Sequence, residues 1–168
     1  FKAIAKVVGE KTGIPAFSVS TNGMHSYLSG VSRALEAVVK HFCRRDAVRS
    51  KDLSANIIGA TPLDFSVNGS VESIKRWLAE SGFRIVSCMA MGSDLDHISM
   101  AGSAHVNLVV SYSGLAAAKV LQKQFGTPYV AGVPFGIGFA DILARALRSA
   151  AKSGKSSMPC ADRRNVSG

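Results

Sequence analysis

Four turns hold the residues whose types and spacing could bind or transform a ligand. They read Gly59-Ala60-Thr61-Pro62-Leu63-Asp64, Met91-Gly92-Ser93-Asp94-Leu95, Ser111-Tyr112-Ser113-Gly114 and Gly132-Val133-Pro134-Phe135-Gly136. Each follows an apolar β run, and most open a helix. In an open α/β sheet such carboxyl-end loops are where ligands sit. Gly92-Ser93-Asp94, at the start of a helix, can aim backbone amides and a hydroxyl at an anion. The same residues also make an ordinary helix cap with Ser93 or Asp94 as acceptor. Asp64, Asp94, Asp96 and Asp141 are spread over different loops, and any two could meet at a sheet edge as a carboxylate pair.

Other chemistries find no support. Gly132-x-x-x-Gly136-x-Gly138 has the order of neither a dinucleotide fingerprint nor a phosphate loop with its lysine, so nicotinamide and ATP sites are set aside. No Ser, His and acid set follows a nucleophile-elbow pattern. Cys43, Cys88 and Cys160 are far apart and odd in number, which suits free thiols in a reducing compartment rather than a disulfide framework. Cys88, inside the apolar run 85–89, reads as a small buried hydrophobe. His25, His41, His97 and His105 form no metal spacing.

The elements that must position these turns follow from periodicity. Apolar residues Leu28, Val31, Leu35, Val38, Val39 and Phe42 recur at three- and four-residue steps and predict a helix over 27–42 with one buried face. Before it, 3–11 reads as a helix stopped by Gly13, and 14–19 as a short strand with Pro15 at its entry. A polar connection over 44–51 follows. Then β and α patterns alternate: strands at 55–58, 84–91, 106–110 and 129–130, with helices at 70–81, 94–100, 114–125 and 138–147. Asn68 or Ser70 is placed to cap the helix at 70, with Gly82 ending it. The near-continuous apolar strands suit a sheet covered on both faces, and the alternation predicts an α/β fold, a three-layer α/β/α Rossmann-like parallel sheet.

Three segments result: 1–50, the end of a preceding α/β segment packed on the main domain; 51–150, the α/β domain; and 151–168, a polar and disordered tail. At 168 residues and 47% apolar content the chain can bury a real core. Lys and Arg number 20 against 11 acids, a net charge of +9. The excess sits in 44–51 and after 145 with no interleaved aromatics, so nucleic acid is not expected as a partner. No apolar run approaches the length of a membrane helix, since 104–111 is broken by His105 and Asn107. A soluble, cytoplasmic protein with no membrane partner is expected. The chain opens inside a helical pattern with no initiator Met or cleavage signature, which predicts a piece of a longer polypeptide.

Several segments together carry a resemblance: Asn56-Ile57-Ile58-Gly59 before a helix, Glu80-Ser81-Gly82-Phe83-Arg84, Met91-Gly92-Ser93, Asn107-Leu108-Val109-Val110-Ser111-Tyr112 and Lys123-Gln124-Phe125-Gly126-Thr127-Pro128. With Thr12-Gly13-Ile14-Pro15, Thr21-Asn22-Gly23 and Tyr27-x-x-Gly30, they make residues 1–136 similar to the nitrogenase component 1 family. That family includes molybdenum-iron protein subunits, cofactor scaffold proteins, and protochlorophyllide and chlorin reductase subunits. The resemblance implies a redox component that pairs with a homologous subunit and receives electrons from an ATP-dependent iron-sulfur reductase. It implies an iron-sulfur cluster in the full-length protein whose cysteines lie upstream of the matching region, so no cofactor is expected in this fragment alone.

The resemblance also places Ser111 where the catalytic molybdenum-iron subunit has a cofactor-ligating cysteine, and serine is a poor ligand for soft iron-sulfur chemistry. It implies a cofactor or ligand cavity lined by Ser111 and Tyr112, with Gly92 and Ser93 on the next loop. Beside that reading stands a plain one, in which Ser111 caps the helix that begins at Gly114. The implied function is a fragment of a nitrogenase-like oxidoreductase component, inactive alone and prone to self-association through faces that other domains cover. A noncatalytic metallocluster scaffold and a plain α/β ligand-binding module are the alternatives.

Overall fold

The computed structural model describes residues 2–21, 24 and 26–159. His25, Cys160 and the rest of the segment 160–168 lie outside the described residues, as do Asn22 and Gly23. Helices α1 (Lys2–Thr12) and α2 (Tyr27–Phe42) precede β1 (Ser54–Ile58), α3 (Ser70–Glu80), β2 (Arg84–Cys88), α4 (Leu95–Ser99), a 3-10 turn at Met100–Ser103, β3 (Val106–Val109), a second 3-10 turn at Tyr112–Gly114, α5 (Leu115–Phe125), β4 (Tyr129–Ala131) and α6 (Ile137–Ser153). All strand pairings are parallel, in the order β2-β1-β3-β4. This is the α/β, Rossmann-like sheet that the alternation predicts.

The two faces of the sheet bury different partners. Ala55, Ile57, Cys88, Val106, Leu108 and Val130 point into a core closed by Val71, Ile74 and Leu78 of α3 and Leu143 and Leu147 of α6. On the other face Ile58, Met89 and Val109 meet Leu35 and Val39 of α2 and Ala117, Ala118 and Leu121 of α5. The alanines let α5 lie close to the strands. Each fully buried aliphatic side chain contributes roughly 1.5–3 kcal/mol, so α2 belongs to this layer rather than to a separate body.

Four local readings change. No strand forms over 14–19, because Pro15 removes a donor and no strand offers itself as partner; instead Phe17 stacks on His41 with centroids 4.6 Å apart and meets Phe42 edge-on. The cap of α3 is Gly69 at φ 87° rather than Asn68 or Ser70; the Ser70 hydroxyl turns back to the Val67 carbonyl. Helix α6 runs to Ser153 and stops at Gly154, which takes φ 71°. Ser157 then pairs with β4: its amide donates to the Tyr129 carbonyl at 3.0 Å and its carbonyl accepts from Ala131 at 3.1 Å. The tail expected from 151 is therefore built into the fold as far as residue 159.

At the amino-terminal edge, His105 Nδ1 accepts from the Ser54 amide at 3.2 Å and lies 2.9 Å from the Ser54 hydroxyl. Burial, then the Arg49 and Arg84 charges, hold the imidazole below its usual 6.5. The unfolded chain thus binds the proton more readily than the folded one. This contribution to stability is complete above about pH 6.5 and is lost as pH falls from there toward the lower folded value. Urea midpoints are expected to drop on acidification through this window, and His105→Gln is expected to flatten that part of the profile; parallel profiles for both proteins would refute it.

Candidate functional site at the carboxyl edge

Strand β1 is followed in sequence by its neighbour β2, whereas β3 lies on the other side of β1. The direction of growth of the sheet reverses between β1 and β3, and the loops leaving these two strands meet at this switch point, the place where open α/β sheets offer a ligand crevice. Two glycines bring them together at its floor. A Cβ on Gly114 would stand 2.7 Å from the Ile58 carbonyl oxygen and 2.9 Å from the Gly59 nitrogen, and one on Gly59 would stand 3.0 Å from the Ser111 carbonyl oxygen. Gly59 also holds φ 92°, a conformation that favours glycine.

That approach assembles a polar cluster from both loops. The Asp64 carboxylate accepts from the Thr61 hydroxyl at 3.1 Å and from the Ser111 hydroxyl at 3.3 Å, both on Oδ2. Ser111 Oγ lies 3.1 Å from the hydroxyl of buried Ser113 and accepts from the Ser113 amide at 3.4 Å. Since Ser111 donates to the carboxylate, Ser113 is the donor in the hydroxyl pair. Thr61 is itself fixed, its carbonyl accepting from the amides of Asp64 and Phe65. The Ser111 oxygen caps the 3-10 turn that leads into α5, and the residue also borders a cleft.

That cleft has a volume of about 360 Å³ and is walled by Val110, Ser111, Tyr112, Leu115, Gly132 and Met158. Tyr112 is 76% exposed and stands at its mouth. Gly92 and Ser93 sit elsewhere, on the loop after β2, one strand removed from β3. No hydrogen bond among the described residues joins them to Ser111 or Tyr112. Ser93 Oγ accepts from the Cys88 amide at 2.7 Å, and Gly92, at φ 97°, leaves room for the Lys75 amine, which lies 2.9 Å from the place a Cβ would take. Asp94, not Ser93, caps α4: its Oδ1 accepts from the His97 amide at 2.9 Å and pairs with His97 Nδ1 at 2.6 Å. The backbone bond from His97, then the side-chain bond, lower the Asp94 pKa. A second hollow of about 300 Å³ lies between the loops after β1 and β2, against Pro62, Phe65, Val67, Glu72 and Met91.

The donor set at the crevice is carboxylate and hydroxyl, hard oxygen groups suited to hydrogen bonding and charge rather than to soft iron-sulfur coordination. The thiols are placed differently. Burial pushes Cys88 and Cys43 up to about 11, and Cys43 donates to the Ile98 carbonyl. Among the described residues no three His, Cys, Asp or Glu side chains gather as a metal site. These residues therefore do not fit an iron-sulfur cluster. Thr61 and Ser113 are the cluster members that pattern reading leaves out, and Asp64, named there for a carboxylate pair, bonds to Ser111 instead; each stands in a quoted turn, but their meeting depends on the strand order.

Around the crevice every carboxyl-end loop exposes a large apolar side chain: Leu63 and Val67 after β1, Leu95 after β2, Tyr112 after β3, and Phe135 and Ile137, 85% and 88% exposed, after β4. No helix among the described residues is long and apolar enough to cross a membrane.

Similarity to known proteins follows these features. One light-independent protochlorophyllide reductase subunit from Angiopteris evecta is 33% identical over 118 residues, covering 66% of this chain and 23% of that protein. The corresponding subunit from Nostoc punctiforme is 29% identical over 121 residues, covering 67% of this chain and 24% of that protein. The chain thus spans about a quarter of the length of these relatives. Among solved structures, nitrogenase Cp1 at pH 6.5 superposes with a TM-score of 0.73 at 19% identity, over 90% of this chain and 29% of that one, and shares its fold. The family described as nitrogenase component 1 type oxidoreductase matches residues 1–165. A parallel sheet with its loops gathered at one edge is thus joined to a sequence match over nearly the whole chain, and the protein belongs to the nitrogenase component 1 type oxidoreductase family.

Proposed function

We propose that this chain is part of a nitrogenase-like oxidoreductase component that takes part, within its full-length complex, in ATP-coupled, iron-sulfur-dependent reduction in the cytoplasm. The family match over residues 1–165 carries this reading. In it, a homologous subunit is the structural partner and an ATP-dependent iron-sulfur reductase supplies the electrons. The cluster is held by residues outside this chain, in keeping with the oxygen-only donors at the crevice. Such a cluster would supply one-electron chemistry from outside this chain; this chain's own residues bind and orient. Ser111 and Tyr112 border the ligand cavity, Gly92 and Ser93 shape the neighbouring loop, and Asp64 with Thr61 fixes the Ser111 hydroxyl. Because the relatives are named protochlorophyllide reductases, a reducible tetrapyrrole is the first substrate class to offer. The apolar rim, Phe135 and Ile137 above all, packs against the rest of the complex, and the chain alone is inactive.

The test is anaerobic production of the full-length protein, with iron and sulfide analysis and electron paramagnetic resonance. A stoichiometric, reducible cluster is the expected result. Colourless, metal-free protein in repeated preparations would replace this reading with that of a noncatalytic binding module. A cluster that never turns over with the reductase, ATP and protochlorophyllide would favour a scaffold.

A further inference from the structure

The end of the sheet opposite the crevice gathers three nitrogen donors that the redox reading leaves without a task. Ser54 opens β1, and Arg84, the first residue of β2, is its register partner. On the other side of Ser54, His105 precedes β3, and its amide donates to the Ser54 carbonyl at 2.9 Å. A backbone amide only donates, so the bond from Ser54 N to His105 Nδ1 leaves the ring proton on Nε2. The third member, Arg49, comes from the basic connection before β1.

Both guanidinium groups are tethered, and among the described residues neither pairs with a carboxylate. Arg49 Nη2 donates to the Phe125 carbonyl at 3.0 Å and lies 3.4 Å from Thr127 Oγ1. Arg84 Nη2 donates to the Ser50 hydroxyl at 3.2 Å. None of the three forms an ion pair with a carboxylate; the ion pairs among the described residues are all elsewhere. Asp52, an acid on the same connection, joins this network only through its carbonyl, which accepts from Ser50 Oγ at 3.1 Å. Hydrogen bonds link the three: Arg84 reaches Ser50, the neighbour of Arg49, and Arg49 reaches Thr127, whose hydroxyl donates at 3.4 Å to the carbonyl of Ala104, the residue before His105. Each arginine keeps most of its five N–H donors unused among the described residues, in the planar fork that matches a tetrahedral oxyanion.

We infer that this amino-terminal edge binds a phosphate group, free or carried by a nucleotide, between Arg49, Arg84 and the Nε2–H of His105. An anion here offsets the mutual repulsion of the two guanidinium groups and accepts from a neutral imidazole. The site is separate from the carboxyl-edge crevice and stands whether or not the redox reading does.

The test is isothermal titration of the full-length protein with inorganic phosphate and, separately, with ATP, against chloride at matched ionic strength. Saturable phosphate binding that chloride does not abolish is expected. Arg84→Gln and Arg49→Gln are each expected to weaken it about tenfold or more, the loss of a charge-assisted hydrogen bond, with Arg84→Lys losing less. Arg84 is exposed, and among the described residues its side chain bonds only to Ser50, so Arg84→Gln keeps the fold; circular dichroism checks Arg49→Gln. ATP binding tighter than phosphate makes a nucleotide the source, and equal or weaker binding makes it the free ion. Absence of binding, displacement by matched chloride, or binding unchanged in both glutamine variants overturns the site. Weakening in one variant alone overturns the three-membered assignment.

Discussion

Gly114→Ala is expected to destabilise the protein by about 2–3 kcal/mol, the range of overpacking against atoms that cannot rotate away. The backbone at Gly114 is ordinary, with φ −81° and ψ −14°, so alanine meets no conformational penalty and the whole effect is steric. The new methyl would lie 2.7 Å from the Ile58 oxygen, 2.8 Å from its carbon and 2.9 Å from the Gly59 nitrogen. All three belong to the end of the central strand. To admit it, the loop after β3 must lift away from β1, and the 3.3 Å bond between Ser111 and Asp64 goes with it. Two other glycines separate this cause from its rivals. A Cβ at Gly138 in α6 meets nothing within 4 Å, so Gly138→Ala is expected to stabilise by roughly 0.5–1 kcal/mol through helix propensity. Gly126, also free of neighbours but at φ 66°, isolates left-handed strain, and its alanine variant is expected to cost about 1 kcal/mol. Urea unfolding of the three variants decides the matter. If Gly114→Ala unfolds at the same midpoint as Gly138→Ala, the two loops do not meet as described.

The reasons some of this was legible in the sequence, and some not, are physical. The run of apolar strands and the three- and four-residue steps of α2 and α3 report burial directly, and the sheet and its covering helices follow from them. A strand also needs a partner. The stretch at 14–19 has strand-like composition but no neighbour to pair with, and tertiary contact through Phe17 replaces the ladder. Helix α6 runs six residues past Leu147 because Ala150 returns to the core and Gly154 supplies the stop, a burial that no local pattern announces. At the site the same limit applies. Ser111 and Tyr112 border a cleft, whereas Gly92 and Ser93 lie on the far side of β1, after β2. Asp64 reaches Ser111 only because β3 pairs with β1, and pairing order is a property of the assembled sheet.

Asn56→Ala is expected to cost on the order of 3–5 kcal/mol, because it strands several buried polar groups at about 1–3 kcal/mol each. Asn56 is fully buried in the middle of β1. Its amide nitrogen donates to the Ala101 carbonyl at 2.9 Å and to Asn107 Oδ1 at 2.8 Å, while its oxygen accepts from the Ser87 hydroxyl at 2.8 Å. Asn107 continues the chain to the Thr127 carbonyl at 3.2 Å. Strands β2, β1 and β3 are thereby tied by side chains across the sheet, and among the described residues no buried side-chain nitrogen or oxygen is left without a partner. Such a network specifies register as well as stability. Asn56 stands opposite Asn107, which sets Ile58 opposite Val109 and so brings Gly59 to Gly114 just beyond. A slip of one residue would turn every side chain of β1 to the opposite face and part the crevice loops. A domain typically holds only about 5–15 kcal/mol in reserve, so the variant is expected near the limit of folding, and chemical denaturation of Asn56→Ala, Asn107→Ala and the double variant measures it. Coupling between the two sites above about 1 kcal/mol is expected for a shared network. Independent, additive losses would mean that the asparagines are buried side by side without acting on one another, and the register of the site would then rest on the apolar packing alone.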